Sequence, residues 1–139
     1  MKKLLILLIS CHCLLATSVA QSDRPFSAYL INDQYDIYMR INFYEQNIQV
    51  PGQELYGELP GYLGKKHNSF CWVITDAEVK GTSASLSLIN DYGSEDLTAT
   101  LTQKNDSVYI LKQKQGSTLK VPKDGKWQKL PKTIELKRK

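Results

Sequence analysis

From Tyr35 to Tyr44 the chain alternates: Tyr35, Ile37, Met39, Ile41 and Phe43 take every second position, and Asp36, Tyr38, Arg40, Asn42 and Tyr44 fill the gaps. Extended backbone sends successive side chains to opposite faces, so this period of two predicts a strand with one buried face. The other face is polar but carries two phenol rings. The same grammar returns at 83–90, where Ala84, Leu86 and Leu88 alternate with Ser83, Ser85 and Ser87. It returns again at 97–102, where Leu97, Ala99 and Leu101 alternate with Thr98, Thr100 and Thr102. Less regular strands are expected at 26–31, 55–63, 70–79, 108–113, 118–121, 127–130 and 133–137. The inward-pointing set implied by these patterns is Ile37, Met39, Ile41, Leu86, Leu88, Leu97, Leu101, Ile110 and Ile134.

Short turn signals separate the strands: Asn32-Asp33, Lys80-Gly81-Thr82, Asn105-Asp106, Gln115-Gly116 and Asp124-Gly125. Connections this short join antiparallel neighbours, because parallel strands need a long crossover. Past the N-terminal segment no window carries a helical period, which disfavours a β-α-β architecture. Nine or ten short strands in one antiparallel meander either close into a barrel or split into two packed sheets. Gly57, inside a strand-like segment, suits the bend of a coiled sheet. The expectation is therefore an all-β single domain, a closed or partly open β-barrel in preference to a β-sandwich. In strand pattern alone it resembles the calycin-like architecture of lipocalins and fatty-acid-binding proteins, and no motif carries ligand or catalytic residues across.

The N-terminus has the grammar of an export signal. Met1-Lys2-Lys3 precedes a short apolar run from Leu4 to Ala16, and Ser18 and Ala20 supply the small residues of a cleavage site. The run is too short to span a bilayer as a helix. The expected organisation is a signal peptide at 1–20 and one all-β domain at 21–139, periplasmic or extracellular, with no transmembrane segment in the mature chain. An alternative is a lipoprotein, since Leu8-Ile9-Ser10-Cys11 resembles a lipobox that would anchor the chain through Cys11. Cleavage after Ala20 leaves Cys71 as the one cysteine, so no internal disulfide can form. Its setting in Phe70-Cys71-Trp72-Val73-Ile74 predicts a buried thiol acting as a small hydrophobe.

Charge changes the picture, because the formal net of +4 conceals a split. Residues 21–103 hold 5 basic against 11 acidic side chains, and residues 104–139 hold 11 basic against 3 acidic. Such a basic third can attract an anionic partner, although lysines on strand edges also discourage aggregation. Nucleic acid is disfavoured by export and by the lack of a recognised binding motif.

Candidate chemistry is sparse. His67 and Cys71 are four residues apart, about 13 Å on extended backbone, which makes a poor metal pair or catalytic dyad. The acidic segment 90–96 lacks the alternating carboxylates of a helix-loop-helix calcium loop. Ser83 and Ser85 lie outside any nucleophile-elbow context, and only geometry would promote Glu54, Glu58 or Asp76 to catalysis. No catalytic residue, metal or cofactor is expected.

The expected function is non-catalytic binding of a protein partner in the envelope or outside the cell, as an inhibitor, immunity or adaptor module. The alternative is a carrier of a small apolar ligand inside the barrel, with a hydrolase third. The expected site combines the outer face of the 35–44 strand, Tyr38, Arg40 and Tyr44, with a 61–68 loop carrying Tyr62, Lys65, Lys66 and His67. Tyrosine and arginine dominate interface energetics when desolvated, which is why these residue types are singled out.

Overall fold

Alternation becomes a ladder. A computed structural model describes residues 24–139, so the expected signal peptide, its expected cleavage site before Gln21 and the alternative anchor Cys11 lie outside the described residues. Eight strands form a closed antiparallel barrel: β1 (Ser27–Asn32), β2 (Ile37–Asn42), β5 (Gly61–Lys65), β6 (Cys71–Lys80), β7 (Ser83–Asn90), β8 (Asp96–Gln103), β9 (Val108–Gly116) and β12 (Thr133–Arg138). Two excursions interrupt the meander. One holds β3 (Ile48–Gln49), the 3-10 turn Glu54–Tyr56 and β4 (Glu58–Leu59); the other is the hairpin of β10 (Lys120–Lys123) and β11 (Lys126–Lys129). The ring closes where β1 pairs with β12 at Leu30↔Arg138 and Ile31↔Lys137.

The interior is filled. Phe26, Leu30, Ile37, Met39, Leu63, Trp72, Ile74, Leu101, Tyr109, Leu111 and Leu136 belong to one apolar cluster and are wholly or almost wholly buried. A void that admitted water would leave surface on the side chains lining it, and these have essentially none. The 117–132 excursion plugs one end: Leu119, Val121 and Leu130 join the same cluster, and the Trp72 indole N–H donates to the Lys120 carbonyl at 2.9 Å. At the other end Phe26 stacks on Phe43 at 5.5 Å and meets Tyr109 edge-on, while the Tyr109 hydroxyl donates to the Pro25 carbonyl.

Closure demands local coiling, which bulges supply. Register slips between Ile74 and Asp76 on β6 and between Leu97 and Ala99 on β8. Opposite the second slip sits Gly116, with φ of 97°, where a β-carbon would lie 2.5 Å from the Asp96 carbonyl oxygen. Only glycine fits there.

Four sequence expectations change. Ile110 points outward and is half-buried, because the parity of β9 puts Tyr109 and Leu111 inside instead. The single strand expected at 55–63 is broken into the 3-10 turn, β4 and the start of β5, since Gly57 (φ 69°) ends the turn rather than bending a strand. The 61–68 loop is largely β5, paired with β2 from Ile37↔Lys65 to Ile41↔Gly61. Finally, Gln115 and Gly116 end β9 rather than form a turn.

Candidate functional site

The outer faces of β1, β2 and β5 form one surface. In register, Arg40 sits between Tyr29 of β1 and Tyr62 of β5, and the next row places Tyr38 between Ile31 and Gly64. Tyr38 is the keystone. Its ring stacks on Tyr29 at 5.6 Å and 24°, meets Tyr62 edge-on at 5.8 Å, and lies across Gly64, where a β-carbon would fall 2.5 Å from Tyr38 Cζ. An aromatic laid over a glycine covers backbone that would otherwise be bare. Partial burial, followed by hydrogen bonding with Tyr62, pushes the Tyr38 hydroxyl up to about 12. Arg40 beside it is exposed and has no ion-pair partner among the described residues.

Beside this face the first excursion folds onto β5 and β6. Val50, Tyr62, Cys71 and Val73 make a second buried cluster there, with Tyr38, Ile48, Leu59 and Ile89 packed around it. Cys71 is thus buried as expected, yet on the outer side of the barrel rather than in its core. Burial, and to a smaller extent Asp91, pushes its thiol up to about 11. A concavity of about 300 Å³ opens between Tyr38, Tyr62, Pro51 and Cys71. The tip of the excursion presents Leu55, wholly exposed, and Tyr56 to solvent.

The seven expected site residues are not one patch. Tyr38, Arg40 and Tyr62 share the outer face, but Tyr62 is 6% exposed, capped by the excursion. Lys65 also leaves the surface: its register turns it inward at the barrel mouth, 8% exposed, where Nζ donates to the Tyr35 carbonyl at 2.7 Å. Lys66 pairs with Asp33 at 3.0 Å, tying the β1–β2 and β5–β6 turns, and that bond raises its ammonium pKa. His67 is exposed in the same turn with φ of 58°. Tyr44 lies past the opposite end of β2, where its hydroxyl accepts the Phe26 N–H at 3.2 Å and its ring carries the Arg24 guanidinium at 5.1 Å. Arg24 in turn bonds Glu45 and holds its carboxyl below the usual range.

A further aromatic group escaped the sequence reading. Phe70, Tyr92 and Trp127 come from the β5–β6 turn, the β7–β8 turn and β11. They meet at ring separations of 5.0 to 6.5 Å beside the plugged end of the barrel. Their spacing in sequence carries no signal, because only the hairpin plug brings Trp127 to the other two.

Glu54, Glu58 and Asp76 are exposed on separate elements. Among the described residues there is no group of three or more His, Cys, Asp and Glu side chains placed to hold a metal ion. No helix among them is long and apolar enough to cross a membrane. Neither a family model, nor a curated protein, nor a solved structure matches this chain.

Proposed function

We propose that this chain is a non-catalytic binding module, exported from the cell, whose partner is a protein held on the outer face of β1, β2 and β5. The observation that carries this is Arg40. An exposed guanidinium with no ion-pair partner among the described residues, set between Tyr29 and Tyr62, whose rings Tyr38 holds, is an open anchor for a carboxylate or carbonyl on another chain. Tyrosine rings already held by their neighbours lose little further conformational freedom on binding, so more of their contact energy survives as affinity. The filled interior supports the same reading over a carrier, which would need room inside the barrel.

The test is capture by immobilised protein from an envelope extract, followed by a titration with the purified captured partner. Arg40→Glu should weaken that titration at least tenfold, about 1.4 kcal/mol, with an unchanged melting temperature. Tyr38 is a poor probe, because its ring also covers Gly64. Capture indifferent to Arg40→Glu would remove this face from consideration.

A further inference from the structure

At the plugged end of the barrel Phe70 is 5% exposed and forms a floor, while Trp127 (49%) and Tyr92 (72%) stand on it in water. Phe70 meets Trp127 edge-on at 5.0 Å, Tyr92 meets Trp127 edge-on at 6.5 Å, and Phe70 and Tyr92 are 6.1 Å apart. Rings in such contact leave no hole among them, so they are a platform rather than a cage for a cation. Lys120 Nζ, 5.6 Å from the Trp127 centroid, already occupies the cation position on that ring.

Two hollows of about 300 Å³ flank the platform and share its three rings. Asn68, Asp91 and Lys126 line one; Ser94, Glu95 and Lys120 line the other. Each hollow therefore offers donors and acceptors, and in each a carboxylate balances an ammonium. Glu95 and Lys120 even pair directly at 3.1 Å. A balanced rim attracts neither an anion nor a cation strongly. It suits a ligand that both gives and takes hydrogen bonds, is uncharged, and has a face of C–H groups to set against the negative face of an aromatic ring.

We propose that the Phe70–Tyr92–Trp127 cluster binds a neutral saccharide chain, one sugar stacking on the face of Tyr92, the more exposed ring, beside Trp127, and its neighbours reaching into the hollows on either side. The open, two-lobed shape fits an extended chain passing across the barrel end. This site lies apart from the Arg40 face, and either can fail without the other.

Trp127 reports on the site directly, because Trp72, the second tryptophan, is buried and serves as an internal control. Purified protein is titrated with neutral hexasaccharides of β-1,4-glucose, β-1,4-xylose, β-1,4-mannose, β-1,4-N-acetylglucosamine and α-1,4-glucose, with hexagalacturonate as the charged comparison. At least one neutral hexamer should bind with a millimolar or lower Kd and change the exposed tryptophan emission. Tyr92→Ala should weaken binding at least tenfold at unchanged melting temperature, and Trp127→Phe should abolish the emission change while keeping part of the affinity. Arg40→Glu should leave saccharide binding alone. The proposal is overturned by binding of none of the neutral hexamers at about 10 mM, a level that detects affinities of only about 3 kcal/mol. Binding confined to hexagalacturonate, or indifferent to Tyr92→Ala, overturns it equally.

Discussion

Gly64 and Tyr38 should be energetically inseparable. A β-carbon on Gly64 would stand 2.5, 2.6 and 2.8 Å from Cζ, Oη and Cε1 of Tyr38, against the roughly 3.5–4.0 Å at which carbon atoms rest. The ring must lift by about 1 Å, and its stack on Tyr29 and edge contact with Tyr62 oppose the movement. Forcing atoms into a packed site costs about 1–3 kcal/mol, and each aromatic pair disturbed holds about 0.5–1.5 kcal/mol. Gly64→Ala should therefore destabilise by about 1–3 kcal/mol. With Tyr38→Ala already present the obstacle is gone, and the same change should be neutral or stabilising by about 0.5–1 kcal/mol, as alanine ordinarily is over glycine within a strand. The coupling between the two substitutions is then about 1–4 kcal/mol, against the roughly 0.5–3 kcal/mol that contacting residues show. Urea unfolding of the wild type, both single variants and the double variant, followed by far-ultraviolet circular dichroism, measures it. A coupling under about 0.5 kcal/mol, the scatter expected of independent sites, would refute the packing argument.

The inward parity of β2 and the outward turn of Ile110 predict an asymmetry: Ile41→Ala should cost about 2–5 kcal/mol and Ile110→Ala under about 1 kcal/mol. Equal losses by denaturant titration would mean that the register of β9 is wrong. Cys71 should react with a thiol reagent at pH 8 at least tenfold more slowly in the folded protein than in urea. The reason is that burial keeps its thiol protonated to about 11. Since the folded value is raised, whatever this group contributes to stability is complete below its ordinary value of 9.0 and is lost as pH climbs from there through 11. Cys71→Ser should cost about 1–3 kcal/mol if its hydroxyl finds no partner among Val50, Tyr62 and Val73.

How much of this was legible in the sequence depended on parity. At 35–44, 83–90 and 97–102 the alternation is unbroken, and the ladder reproduces it: Ile37, Met39 and Ile41 face in, as do Ala84, Leu86 and Leu88, and Leu97, Ala99 and Leu101. Runs without alternation were ambiguous. In Val108-Tyr109-Ile110-Leu111 every residue is apolar, and either parity satisfies the pattern. What decides it is the Tyr109 hydroxyl, which reaches the Pro25 carbonyl and Arg138 at the barrel end and so gives an inward tyrosine a polar outlet. Similarly, Cys71-Trp72-Val73-Ile74 is buried on both faces, since the barrel takes Trp72 and Ile74 and the excursion covers Cys71 and Val73. Nothing local announces that an excursion about ten residues upstream will fold back over a strand.

The site was less legible than the fold for the same reason carried one step further. Tyr38 and Arg40 could be read as outward because they lie within one alternating strand. Tyr62 could not, since its exposure depends on Val50, Ile48 and Leu59 arriving from another segment. Lys65 follows a glycine-spaced strand whose inward end is the barrel mouth, a position where a long aliphatic stem lies along apolar surface while its ammonium finds a carbonyl. A charge count treats that lysine as surface. The aromatic platform is the extreme case. Phe70, Tyr92 and Trp127 belong to three different connections, and their meeting depends on the hairpin being pinned by Leu119, Val121 and Leu130 below it and by the Trp72 indole at Lys120. Within that hairpin Lys120 faces Lys129 and Lys123 faces Lys126, like-charge cross-strand pairs that weaken a two-stranded ribbon. Burial therefore holds the plug in place against its own charges, and the rings it carries are positioned by the barrel core.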